Sequence, residues 1–261
     1  MSGWDRRPGC AALPSADRVQ PTAVPTGAPA RERARIVLLL SLTFVTGVVD
    51  VVSYVGLDHV FVANMTGNVV LLGAVVTAQG SVPIVSVAAA FAAFVLGAAV
   101  AGRVSNGREG SGAPAAILLG ASTVLLAGSG ALLDVAPLSP LVPAVPMGAL
   151  ALAMGLQGGW ARAHAAADLP TVVVTSTLVG LAFQSALGTG EHQRWRRRAA
   201  AVTLLVLGGL AGGLLLRVGP GLALGLCAGI TAAVAVVSWR VERCTTTNPT
   251  EPRIRPQHSN K

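Results

Sequence analysis

Two stretches of this 261-residue chain concentrate side chains that could do chemistry, and both lie in apolar surroundings. In the first, Asp50 is the only charge between Ile36 and Leu57. A carboxylate at that depth costs roughly 2.5 to 3.5 kcal/mol on membrane insertion scales. Its neighbours at helical spacing, Thr43, Thr46, Gly47, Ser53 and Tyr54, form a polar stripe that must face protein or water. Two roles for Asp50 fit this pattern equally: a proton-titrating or cation-attracting group, and a buried carboxylate satisfied by hydroxyls and backbone N–H groups. The run from Asp58 to Asn68 follows. Here Gly67 lets the chain bend, while Asn64, Thr66 and Asn68 can satisfy the backbone groups that a broken helix leaves free. A helix starting near Thr66 would aim its positive end at an anionic or polar ligand group. The plainer alternative is that these amides and hydroxyls only hold packed helices together.

The second stretch repeats the pattern about 107 to 109 residues later, with Gly155 to Gln157 and then Thr175-Ser176-Thr177. Together the two stretches nominate Asp50, Tyr54, Asn64, Thr66, Gly67, Asn68, Gln157, Thr175 and Thr177 as a substrate-binding set near the midplane. No catalytic or metal site is expected. His59 lies at a span end, His164, His192 and His258 lie in loops or a tail, and no pair has metal-ligand spacing. Cys10, Cys227 and Cys244 offer no disulfide or metal framework. Gly120-Ala121-Ser122-Thr123 faintly resembles the serine motif of intramembrane proteases, but no intramembrane histidine is at hand as base. The sequence therefore predicts no enzyme and no cofactor.

The elements that must position these residues are apolar. Fifty-two per cent of the chain is hydrophobic, 11% is charged and the mean hydropathy is +0.66, against about 25% charged residues in ordinary soluble domains. Eight apolar segments can be marked, at 36–57, 61–79, 82–102, 114–133, 141–160, 171–187, 199–216 and 220–239. Six have the length and flanks of a membrane span. The second and sixth are shorter and interrupted by polar residues. If all eight cross with the N-terminus inside, Arg103, Arg108, Arg162 and Arg217 fall outside. If segments two and six enter and leave on one face, only Arg217 of the nineteen basic residues does. The positive-inside rule favours the second arrangement. Six spans plus two broken or re-entrant segments is the expected fold, an all-α integral membrane protein, with eight spans as the alternative. Three spans per half then place the halves (about 36–133 and 141–239) in opposite orientation, the inverted-repeat build of many transporters.

Residues 1–35 and 240–261, rich in basic and turn-forming residues, read as disordered cytoplasmic tails. Basic residues confined to tails and loops make nucleic acid a poor partner; the bilayer is the expected one. Trp160, Trp195 and Trp239 fall at or near span ends, where an aromatic belt is expected. Gly208, Gly209, Gly212 and Gly213, then Gly221, Gly225 and Gly229, have the spacing for close helix contact, within the chain or in a homo-oligomer. The Arg194 to Arg198 cluster reads as a topology anchor.

Asp50-Val51-Val52-Ser53-Tyr54, Ala63-Asn64-Met65-Thr66-Gly67-Asn68, Met154-Gly155-Leu156-Gln157 and Asp168-Leu169-Pro170-Thr171 through Thr177 resemble the YoaK-type family of bacterial inner-membrane proteins, a domain of unknown function. The similarity covers about residues 36 to 240. Gly158 and Ser176 depart from the family's pattern, which has Asn and Gly there. The resemblance implies an integral membrane protein of about six spans and no established activity. The expected function is a small-molecule or ion transporter of the bacterial plasma membrane, multi-pass, with a polar midplane site. A non-transporting sensor or scaffold is the alternative.

Overall fold

The computed structural model describes residues 28–77, 83–107, 112–135, 144–164, 179 and 195–246. They form seven helices, α1 (Ala28–Gly56), α2 (Met65–Val76), α3 (Ile84–Ser105), α4 (Ala113–Val135), α5 (Ala144–His164), α6 (Trp195–Leu216) and α7 (Pro220–Thr246), with no strand among the described residues. Five of them, α1, α3, α4, α6 and α7, are long and apolar enough to cross a membrane. The sixth long helix, α5, has 21 residues and carries Gln157 and Arg162, yet is the most enclosed, with Leu150, Met154, Gln157 and Trp160 all buried. The chain is an all-α integral membrane protein.

Two boundaries differ from the expected ones. Residues 28–35 and 240–246, placed in tails by their charge, are helical. Arginine and glutamate are good helix formers, and Glu32 of α1 pairs with Arg197 of α6 at 3.2 Å. Segment two is a helix only from Met65, because residues 57–64 leave the helical path at the end of α1.

Glycines fix how the helices cross. A Cβ on Gly47 would lie 2.3 Å from the carbonyl oxygen of Leu205, and one on Gly208 would lie 2.2 Å from that of Phe44. Gly212 lies against Val48, and Gly56 against Leu216, so α1 and α6 run the same way. The α3–α5 pair is built alike. A Cβ on Gly97 would lie 2.5 Å from the Leu152 oxygen, one on Gly155 2.2 Å from the Phe94 oxygen, and Gly159 packs on Ala98 and Ala101. In contrast α4 and α7 are antiparallel, with Gly112 against Trp239 and Gly130 against Gly221 and Leu224. Of the other glycines expected at contacts, Gly221 meets Asp134, whereas Gly225 and Gly229 face open space.

Two core layers set the direction of each helix. One holds Leu39, Ala101, Leu118, Trp160 and Val234, the other Val52, Val87, Leu126, Met147 and Leu224. Helices α1, α4 and α6 therefore run from the first layer to the second, and α3, α5 and α7 run back. Of the eleven described arginines ten lie at the first end, and only Arg217 lies at the other, with Asp58 and Asp134. Helix α1 finishes and α3 begins at this second end, tied by a hydrogen bond from Ser86 Oγ to Asp58 Oδ2. The 57–83 connection, α2 included, thus leaves and returns on one face of the bundle. Helix α5 finishes and α6 begins at the opposite, basic end.

Candidate functional site

Where α1 stops, the backbone N–H groups that follow lose their helical partners, and bare ones in apolar surroundings cost several kcal/mol each. Asp50, one and a half turns before the end of α1, supplies the partner. Its Oδ1 accepts hydrogen bonds from the N–H groups of Val62 (3.1 Å) and Ala63 (2.8 Å). Asn68, fully buried in the first turn of α2, holds the same strand of chain from the other side. Its Oδ1 accepts from Phe61 N–H at 3.0 Å and its Nδ2 donates to the Phe61 carbonyl. Asn64 is the N-cap of α2, with its Oδ1 accepting from Gly67 N–H at 3.4 Å. Three side chains thus tie down residues 61–67, through backbone groups except for a 3.8 Å contact from Asn68 Nδ2 to the Met65 sulfur.

Of the residues nominated from the sequence, Asp50, Tyr54, Gly67 and Asn68 each lie against residues 61–63, and Asn64 follows them in the chain. Gly67 is there for closeness: a Cβ on it would lie 2.9 Å from the Phe61 ring. That ring stacks on Tyr54 with centroids 4.7 Å apart, and His59 meets Tyr54 edge-on at 5.4 Å. His59 has a left-handed backbone (φ 56°), uncommon for a residue other than glycine. Tyr54, His59, Asn64 and Thr66 form the exposed rim above the clamp. Thr66 is exposed in the first turn of α2.

Gln157 is not part of this group. Its Nε2 donates to the Leu42 carbonyl at 3.3 Å, two helical turns from Asp50 towards the basic end. Thr175 and Thr177 lie outside the described residues. The polar stripe around Asp50 also divides. The hydroxyls of Thr43, Thr46 and Ser53 donate to carbonyls of α1 itself, three or four residues back, and Gly47 faces α6. Trp160, expected in an interfacial belt, is 2% exposed and stacks on His164 at 4.6 Å in the core. Phe61 and Ser86 were missed. Phe61 is bound through its backbone, which carries no signature, and Ser86 reaches Asp58 across 28 residues.

An apolar bundle with a half-buried carboxylate clamped on a broken segment defines a class, the polytopic membrane proteins with a discontinuous helix. Within it, the chain belongs to the family described as Protein of unknown function (DUF1275), whose model matches residues 38–237. It is similar to the UPF0700 transmembrane protein YoaK of Bacillus subtilis (strain 168), with 34% identity over 152 residues. That match covers 56% of this chain and 65% of the relative, so the chain spans just under two thirds of that protein's length. No solved structure matches the chain. Among the described residues no group of three or more His, Cys, Asp or Glu side chains could hold a metal ion.

Proposed function

We propose that this protein is a small-molecule or ion transporter of the bacterial plasma membrane, built from two halves of like fold in opposite orientation, and not an enzyme. The observation that carries the reading is the joint made twice. Phe44 and Gly47 of α1 meet Leu205 and Gly208 of α6 as Leu152 and Gly155 of α5 meet Phe94 and Gly97 of α3, at shifts of 108 and 111 residues. Helices α4 and α7 match at a shift of 109. Ser122 and Thr231 both donate to the carbonyl four residues back, and Ser129 and Ser238 are both buried. Halves related in this way, each interrupted by a connection that returns to its own face, suit alternating access around a central site. The substrate would meet the rim of Tyr54, Asn64 and Thr66. Asp50 and Asn68 hold the break rigid beneath it. The ten described arginines at one end support a cytoplasmic side for that end and for both tails.

A second reading, a sensor or scaffold that transports nothing, draws on the way Asp50 and Asn68 spend nearly all their hydrogen bonds on backbone. Two measurements decide. In chain reconstituted in proteoliposomes, Asn64→Ala and Thr66→Ala should lower flux, or ligand-induced thermal stabilisation, for at least one solute in a screen of ions and small metabolites. If no solute gives a flux or a stabilisation that these variants change, the transport reading fails. For orientation, single cysteines at Asn106 and His164, in a chain lacking its three native cysteines, should react with an impermeant thiol reagent only after cells are permeabilised. Labelling of either from outside overturns the assigned sidedness.

A further inference from the structure

The two helices that meet at Gly47 and Gly208, α1 and α6, run the same way, and both begin at the basic end of the bundle. Residues 28–35 and 195–198, their first turns, hold six arginines and a single acid, Glu32, a formal net charge of +5. The pair between Glu32 Oε1 and Arg197 Nη1, 3.2 Å apart, fixes the two starts side by side. Arg31 and Arg33 flank Glu32 on α1, Arg196 precedes Arg197 on α6, and all three flanking arginines are exposed. One ion pair thus carries uncompensated guanidinium groups on both of its sides.

What lies below these arginines decides which partner fits them. Helix α6 is the least enclosed of the five apolar spans. Its exposed residues Arg196, Thr203, Leu207, Leu210 and Leu214 follow one another at steps of seven, four, three and four, which is one face of a helix. On α1 the exposed Val37 stands four residues after Arg33, again on one face. From Arg196 to Leu207 the helix rises about 16 Å, roughly half of a hydrocarbon core about 30 Å thick. A guanidinium therefore stands above an apolar strip as deep as one leaflet. A partner for both must be anionic at its head and apolar along its length. A soluble anion would meet the arginines alone, and an acidic protein segment would have to enter the bilayer to reach the leucines.

We infer that the starts of α1 and α6 form a docking surface for anionic phospholipid in the leaflet at the basic end. The arginines flanking the Glu32–Arg197 pair take the headgroup phosphate, and the outer face of α6 takes the acyl chains. The planar guanidinium fork suits two phosphate oxygens at once, and clusters of basic residues beside a span are the usual feature by which anionic lipid is recognised. The surface lies at the opposite end of α1 from the Asp50 clamp and stands whether or not the protein transports.

The test titrates phosphatidylglycerol, with zwitterionic phosphatidylcholine as control, into the full delipidated chain in detergent and reads bound lipid by native mass spectrometry. Phosphatidylglycerol should bind at least about fivefold tighter than phosphatidylcholine. Arg33→Gln combined with Arg196→Gln leaves the Glu32–Arg197 pair in place and should weaken phosphatidylglycerol binding at least about fivefold, with phosphatidylcholine unchanged. Arg103→Gln combined with Arg240→Gln removes the same charge from the same end, but from α3 and α7, and should weaken it less than about twofold. If the first double variant does not fold, Arg196→Gln alone should give a loss of at least about twofold. The inference is overturned if the two lipids bind alike, or if the two double variants lose equally, which would mark a diffuse field of the whole end. It is overturned too if free glycerol phosphate displaces the lipid at equal concentration, the mark of a simple anion site, or if soluble polyglutamate does so, the mark of an acidic protein partner.

Discussion

The α1–α6 and α3–α5 crossings make the same joint and then part company one turn further on. In both, a glycine on each helix lets backbone meet backbone, at Gly47 and Gly208 in one and Gly155 and Gly97 in the other. At the position 108 residues after Asp50, however, stands Gly158, where an added Cβ would meet only the tip of the Phe94 ring, at 3.9 Å. The carboxylate is therefore no part of what makes two helices cross. It belongs to the break that follows α1, where Val62 and Ala63 would otherwise present bare N–H groups. Packing and polar satisfaction are separate problems, solved by different residues on one helix. Small residues let helices approach in lipid, where no hydrophobic force drives association, and charge is admitted only where backbone requires it.

The comparison is broken most severely by filling the joints. Gly47→Leu and Gly155→Leu should each cost more than about 3 kcal/mol, since the obstacle is a carbonyl that cannot turn aside, beyond the 1 to 3 kcal/mol usual for overpacking. Loss of a monodisperse folded species on size exclusion in detergent would register it. If the joints are equivalent, the milder Gly47→Ala and Gly155→Ala should lower the melting temperature by amounts that agree within the error of repeat melts; a large disparity would separate them.

Next comes the clamp. Asp50→Ala orphans two backbone donors at about 1 to 3 kcal/mol each, whereas Gly158→Ala at the matching position should change stability by less than about 0.5 kcal/mol. Asp50→Asn, which keeps an accepting oxygen, should fall between them, and thermal melts of the three variants test the order. Asn68→Ala should cost about 2 kcal/mol and leave the α3–α5 half as protected in hydrogen exchange as before. The smallest effect belongs to the exposed pair at the basic end. Glu32→Gln should cost under about 1 kcal/mol, and that small cost should vanish in high salt.

Much of this was legible beforehand because lipid leaves a chain few options. An apolar composition, Asp50 alone in a span and the Ala63 to Asn68 run announced a membrane bundle with a broken segment, since every backbone group in a bilayer must find an internal partner. The arginine distribution likewise favoured six crossings over eight, and the described helices place segment two with both its ends on one face. What stayed hidden was pairing. Gly225 and Gly229 have the same spacing as Gly208 and Gly212, yet only the latter pair meets a neighbour, because spacing records which residues share a face and not what lies opposite. Trp160 looked interfacial by its place near a span end and proved to be core, because α5 is enclosed by its neighbours.

The sequence by itself determined the solvent, the helices and the place of the break, all of which follow from hydrophobicity and backbone hydrogen bonding along a short stretch of chain. Only the tertiary structure decided that Asp50 and Asn68 grip the backbone of residues 61–63 while Gln157 reaches Leu42 instead. Those choices depend on which helix ends up beside which, and residues 115 apart in the chain carry no local trace of their meeting.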